Sequence, residues 1–423
     1  MDLQQIARDI PDYSVFLTVD EMNASTHQLH ADYPDLTDLR VVGTTRRGDL
    51  IELLTIKGGE RQAFVFGGPH PNEPIGCMTI EYLTRRLCED EALRSELGYT
   101  WHFIKSIDSD GMRLNEGWFK GPFTPTHYAQ HFFRPAMFDQ VEWTFPIEYK
   151  TLKFDQPLPE TQALMRVIDE VKPDFMYSLH NAGFGGVYYY ISDRCEPLYQ
   201  TFHDIPTWFE LALDLGEPEV PFAETFAPAV YRIIDTRDFY NYLEQNGAPD
   251  PAAAIDSGTS SADYASKYGG FFLVVEMPYF DDPRVNDQGL SEVRRRDAIV
   301  QGLDLQDEFD DWTVAQMELV QADLRLETPV TRAVSAFLKM GKSFRAAERQ
   351  WAQTAEETDR PATQAEVFSN VLSKPFYRLL MHGMFTRMLG DEIAAGNTAA
   401  TIAAAYKAAA TRLDDPAGIW KPG

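Results

Sequence analysis

The stretch Gln62-Ala63-Phe64-Val65-Phe66-Gly67-Gly68-Pro69-His70-Pro71-Asn72-Glu73-Pro74-Ile75-Gly76 decides what kind of fold this chain adopts. The apolar run Gln62–Phe66 predicts a strand. Its glycines and prolines then break regular structure through Glu73, so a loop follows. From Ile75 to Leu97 the apolar residues recur at helical spacing. Strand, polar loop and helix in that order are the unit of an α/β sheet, which places its sites at the carboxyl ends of its strands. His70-x-x-Glu73 lies in that loop and can aim an imidazole and a carboxylate at one ion. Taken alone the pair is weak. Nine histidines and many glutamates make one such spacing unsurprising, and a surface loop pair is the blander explanation.

Outward from this unit the pattern repeats. Residues 1–36 read as helical and polar, and Leu39–Thr44 and Leu50–Ile56 as strands joined by a turn at Arg46–Asp49. Trp101–Ser106, Phe175–Leu179, Tyr188–Ile191 and Phe271–Val275 are further strands, with a helix over Glu160–Val171. Alternating helices and strands predict an α/β domain with a mixed sheet. From about residue 290 strand-like runs give way to helical ones. Val334, Phe337, Leu338, Phe344 and Trp351 form an apolar stripe at helical spacing, Thr363-x-x-Glu366 reads as a capping box, and Thr398–Arg412 as one more helix. We therefore divide the chain into a catalytic domain, 1–300, and an all-helical C-terminal extension, 301–423. The stripe calls for a surface to pack on, either in the same chain or in a second copy, or the extension is a lid over the cleft.

A metal site needs more than one pair. His180 ends the strand Tyr177-Ser178-Leu179 and precedes a flexible Gly183–Gly186 segment. With His70 and Glu73 it makes two imidazoles and a carboxylate, which leave a fourth position open, as catalytic rather than structural zinc requires. On its own it is more simply a hydrogen-bonded histidine. Such a centre needs a proton acceptor. Glu276 follows Phe271-Phe272-Leu273-Val274-Val275, and a carboxylate at the end of a buried strand is unfavourable unless paired or functional. A solvated strand-end glutamate is the alternative. His127 and His131, four apart, are discounted as a metal pair because no acidic motif accompanies them.

Composition bounds the rest. At 423 residues the chain exceeds what one hydrophobic core usually serves, and 44% hydrophobic residues suit a globular fold. A net charge of −27 repels phosphates, which argues against nucleic acid and anionic membranes as partners. Cys77, Cys88 and Cys195 are too few and too odd for a disulfide framework and suit a reducing compartment. No apolar stretch is long enough to span a bilayer, and the first residues lack a signal peptide's basic and apolar regions. The expectation is a cytoplasmic protein.

Together these residues resemble the carboxypeptidase A-like zinc metallocarboxypeptidase family. The likeness runs from about residue 39 to 280: Val42-Gly43-Thr44-Thr45-Arg46-Arg47-Gly48-Asp49, the His70–Glu73 loop, Ile107-Asp108-Ser109-Asp110-Gly111, Ser178-Leu179-His180, and Gly258 through Ser261, Asp263, Tyr264 and Phe272 to Glu276. The resemblance implies a mixed, roughly eight-stranded sheet flanked by helices. It implies hydrolysis of an amide bond with zinc on His70, Glu73 and His180, and with Glu276 as the base. It also implies that Arg134, in Phe132-Phe133-Arg134-Pro135, stabilises the oxyanion, and that Glu142 orients the first zinc histidine.

The resemblance breaks after Glu142. Where the family carries an Asn-Arg pair for the substrate's free carboxylate, this chain reads Trp143-Thr144. Arg113 and Asn115 are the substitutes considered for substrate binding, against a structural role for both. No clear match exists for the family's capping tyrosine; Tyr240 and Tyr242 lie out of register. The many aromatics, among them Trp118, Phe119, Tyr128, Trp143 and Tyr188–Tyr190, line a pocket or pack in the core. Three functions follow: a metallocarboxypeptidase on a small or modified peptide, a zinc amidohydrolase on N-acyl amino acids, or an inactive relative that binds.

Overall fold

In the strand Arg61–Gly67, Phe64 and Phe66 enter one hydrophobic cluster while Ala63 and Val65 enter another. Alternate residues of a strand face opposite sides of the sheet, so burial of both sets means that both faces are covered. The computed structural model, which describes residues 2–415 and Trp420, builds this strand into the middle of a nine-stranded sheet. In chain order its strands are β1 (Thr37–Thr44), β2 (Leu50–Ile56), β3 (Arg61–Gly67), β4 (Tyr99–Ile104), β5 (Phe175–His180), β6 (Tyr188–Ile191), β7 (Thr225–Ala227), β8 (Val230–Arg232) and β9 (Phe271–Glu276). Across the sheet they lie β1-β2-β4-β3-β5-β9-β6-β8-β7. β4, β3, β5 and β9 run parallel, and antiparallel pairs close both sides, so the sheet is mixed. The expected fold class holds. The count reaches nine because β7 and β8, three residues each, add an edge hairpin too short to read from alternation.

Helices α1 (Val19–Asp32) and α2 (Ile75–Glu89) cover the Ala63/Val65 face, contributing Leu29, Ile80 and Leu87. Helix α3 (Pro159–Val171) covers the other with Ala163, Leu164, Val167 and Ile168. A capping box between Thr18 and Glu21 starts α1. The helix expected over Ile75–Leu97 divides at Asp90. That side chain accepts from the Leu93 amide and starts a second helix, Glu91–Leu97.

Beyond residue 294 lie α4 (Arg295–Val320), α5 (Pro329–Thr354), α6 (Lys374–Ala394) and α7 (Ala400–Asp414). The extension is not wholly helical, because Pro361–Thr363 forms a short strand against Leu290–Arg294. The capping box at Thr363 and Glu366 is present. One cluster joins Val334, Phe376, Phe385 and Leu389 of these helices to Trp118, Tyr128, Phe132 and Phe184. The apolar stripe of α5 is covered by the same chain: Val334, Phe337 and Leu338 enter that cluster, and Phe344 and Trp351 pack with Tyr240 and Leu243. Gly383 lets α6 lie directly on the Ala129 carbonyl, where any Cβ would collide. The three cysteines are unpaired, and among the described residues no helix is long and apolar enough to cross a membrane.

Candidate metal centre

The parallel strands β3, β5 and β9 end together, with Leu179 in register with Gly67 on one side and Val275 on the other. His180 and Glu276 follow as in-register neighbours at that edge. The chain leaving β3 turns sharply through Gly68, at φ +63°, a conformation that suits glycine. It then brings His70 and Glu73 back over the same edge, with the Glu73 amide bonded to the His70 carbonyl.

His70, Glu73 and His180 are buried, and their ligand atoms all lie within 4.8 Å of one another. His180 Nδ1 is 3.0 Å from His70 Nδ1 and 3.1 Å from Glu73 Oε2, and His70 Nδ1 is 3.1 Å from Glu73 Oε1. Ligands about 2.1 Å from a tetrahedral zinc are separated by about 3.4 Å, so this donor set needs only a small expansion to hold one. Its chemistry fits as well: two ring nitrogens and a carboxylate oxygen converge as acceptors, and one dication would satisfy all three. A hydrogen-bond chain fixes one ring. Ser178 Oγ donates to Glu142 Oε2 at 3.2 Å and so takes the His180 Nε2 proton at 2.9 Å, which leaves the Nδ1 lone pair facing the centre.

Burial and then Arg134 push His70 down to about 3. Burial also opposes charge on His180, but its hydrogen bond and attraction to Glu73, with Glu276 and Glu142, push it up to about 9. Burial disfavours the Glu73 carboxylate, yet His70, Arg134 and His180 hold it well below the ordinary range. Glu276 goes the other way. Burial and Glu219 raise its carboxyl well above the ordinary range, with Glu73 adding to the rise and His180 and Arg134 opposing it. Its side chain forms no hydrogen bond to another described residue.

All six principal candidates, His70, Glu73, His180, Glu276, Arg134 and Glu142, line one cleft. Arg134 reaches Glu73 Oε1 at 2.7 Å and Asn72 Oδ1 at 3.4 Å through one nitrogen. Glu142 is not bonded to His70 as the sequence led us to expect. It accepts from the Ser261 amide and hydroxyl at 3.0 and 2.7 Å and serves His180 through Ser178. The His70 Nε2 is buried without a hydrogen-bond partner among the described residues.

Arg113 and Asn115 do not join the cleft. Arg113 is held on the surface by Asp20 and Asp49 at 2.8 and 2.9 Å. Asn115 is fully buried and brackets Phe133, donating to its carbonyl and accepting from its amide at 2.9 Å each. Its effect is to fix the backbone next to Arg134. Tyr240 and Tyr242 pack in a separate cluster, and His127 and His131 gain no third ligand among the described residues. Of the aromatics, Trp118, Phe119 and Tyr128 are core, whereas Trp143 and Tyr190 face the cleft. The sequence reading missed Glu219, Phe239 and Tyr377, which also line it. Glu219 sits in an irregular segment, and Tyr377 comes from α6, far along the chain.

The model of a family described as zinc carboxypeptidase matches residues 22–267, a segment that ends before Glu276. A carboxypeptidase B from Astacus astacus is 29% identical over 105 residues, 24% of this chain; the match spans only 35% of that relative's length. Among solved structures, a metallo-carboxypeptidase from Burkholderia cenocepacia aligns over 63% of this chain and 61% of its own, at 15% identity and TM-score 0.37. A carboxypeptidase A from Helicoverpa armigera aligns over 84% and 80%, at 12% identity and TM-score 0.42.

Proposed function

This chain belongs to the zinc carboxypeptidase family, and from that premise we propose that it is a zinc-dependent hydrolase that cleaves an amide bond in a small or modified peptide. The observation that carries the reading is the placement of Glu276, buried and without a hydrogen bond among the described residues, in register with His180 of a compact His/Glu/His triad. His70, Glu73 and His180 would hold the zinc, which supplies Lewis acidity toward the scissile carbonyl. Glu276 takes a proton from the attacking water and delivers it to the leaving nitrogen, a task that suits a carboxyl whose proton affinity burial has raised above the ordinary range. The remaining donors of Arg134 meet the negative charge that develops on the carbonyl oxygen. Asn115 keeps that arginine in place through Phe133.

A second reading, an amidohydrolase acting on N-acyl amino acids or related amides, is favoured by one observation. Among the cleft-lining residues Arg134 is the only arginine or lysine, it is already engaged by Glu73, and Trp143 follows Glu142. The family-type clamp for a free C-terminal carboxylate is thus absent from the described lining. Zinc-loaded protein assayed on peptides, their C-terminal amides and acyl-amino acids separates the two. Turnover restricted to free-carboxylate peptides would eliminate the second reading, and equal turnover of the amides would eliminate strict carboxypeptidase action.

A further inference from the structure

We propose that the cleft recognises its substrate by a cationic group, an ammonium or guanidinium, that pairs with Glu219. The proposal rests on the amide-hydrolase reading of this same site and adds the class of substrate. In β6, Tyr188 and Tyr190 lie two residues apart and so face the same side of the sheet. Tyr188 is directly opposite Glu276, at the Cβ separation of about 5 Å that such cross-strand pairs have. The two phenols hold Glu219 between them, Tyr188 donating to Oε1 at 2.7 Å and Tyr190 to Oε2 at 3.0 Å. Glu219 is therefore positioned beside the candidate base by two rigid side chains, while it stays exposed to the cleft.

Phenol donors orient a carboxylate without neutralising it, and each oxygen keeps a further lone pair for a ligand. Nearby acids differ in this respect. Glu217 pairs with Arg295 at 2.7 Å and Glu348 with Lys374 at 3.0 Å. Glu219 makes no ion pair among the described residues. Of the other carboxylates lining the cleft, Glu73 is bound to Arg134 and Glu142 to Ser178 and Ser261. Glu276, also facing in, is 8% exposed and forms no hydrogen bond among the described residues, so its donors come from whatever enters the cleft. The same cleft lining includes the aromatic Tyr190, Phe239 and Tyr377 and the aliphatic Val220 and Ile233. That lining suits the stem of a basic side chain and a cation over a ring.

The test is direct binding, independent of turnover. Calorimetry with n-butylguanidinium, n-butylammonium and uncharged n-butylurea is run on the parent and on Glu219→Gln. The proposal expects the cations to bind the parent about tenfold or more tighter than the urea, as a charge-assisted pair allows, and Glu219→Gln to remove that preference while leaving urea binding unchanged. Equal binding of cations and urea, absence of cation binding at millimolar concentration, or a preference that survives Glu219→Gln would overturn it. Turnover is scored separately on two amides. One is acetylated at its amino terminus and carries a lysine side chain; the other has a free α-ammonium and a norleucine side chain. They distinguish the two sources of the cation. Cation binding with no amide cleavage would sink the hydrolase reading and leave the Glu219 site standing. Cleavage with no cation preference would do the reverse.

Discussion

Glu276 and His180 are in-register neighbours at the ends of two parallel strands. Their spacing is set by backbone hydrogen bonds rather than by flexible loops, so the candidate base and one candidate metal ligand share a rigid frame. The other two ligands come from the loop after β3, which is also parallel to β5. The same edge that the sheet topology makes available for a site thus holds the three candidate ligands and the candidate base.

Removing only the basicity of Glu276 tests its role. Glu276→Gln keeps the shape of the side chain. It is expected to lower kcat on the order of 10²-fold or more while zinc content and fold are retained. Steady-state kinetics beside elemental analysis read this out, and unchanged kcat in a zinc-replete variant would take Glu276 out of the mechanism.

The chain from Glu142 through Ser178 to His180 predicts an effect on metal affinity rather than on folding. Ser178→Ala removes the acceptor of the Nε2 proton, so zinc affinity is expected to drop by about 10- to 100-fold. Competition against a chelator measures it. An affinity equal to the parent's would show that the chain does not orient the ring.

How far the sequence reveals this site depends on the element that carries each residue. His70, Glu73, His180 and Glu276 sit at the ends of long apolar strands or in a glycine-proline loop, and those signals are local. Glu142 lines the same cleft but is linked through Ser178 to the other histidine, because hydrogen-bond partners are set by tertiary packing. Arg113 looks available in sequence, yet Asp20 and Asp49 converge on it from two separate elements. Glu219 and Tyr377 carry no motif; one lies in an irregular segment and the other on α6, and only the folded chain brings them to the cleft. The edge strands β7 and β8 are too short for period-two alternation to register.

The contact of α6 with the Pro125–His131 helix is a stability prediction. A methyl group at position 383 would run into the Ala129 carbonyl, and backbone cannot yield cheaply. Gly383→Ala is expected to destabilise the protein by about 1–3 kcal/mol or more, seen as a lower denaturant midpoint. A midpoint equal to the parent's would mean that the two helices are not packed this closely.

His382 makes the same region acid-sensitive. It is fully buried on α6, donates from Nε2 to the Ala409 carbonyl at 2.9 Å, and is pushed by burial from its ordinary 6.5 down to about 4. Between those values the unfolded chain binds the proton and the folded one does not, so stability falls as pH drops from 6.5 toward 4 and is level above 6.5. The shift corresponds to about 3 kcal/mol. Denaturant unfolding of His382→Gln across this range is expected to show a shallower acid loss than the parent. An identical pH dependence would rule out His382 as its source.

Zinc stoichiometry tests the central claim most directly. Elemental analysis of the purified, zinc-reconstituted protein is compared with the variant carrying both His70→Ala and His180→Ala. The proposed centre predicts about one zinc per chain in the parent and none retained in the variant. A parent that holds no zinc, or a variant that holds as much as the parent, would contradict it.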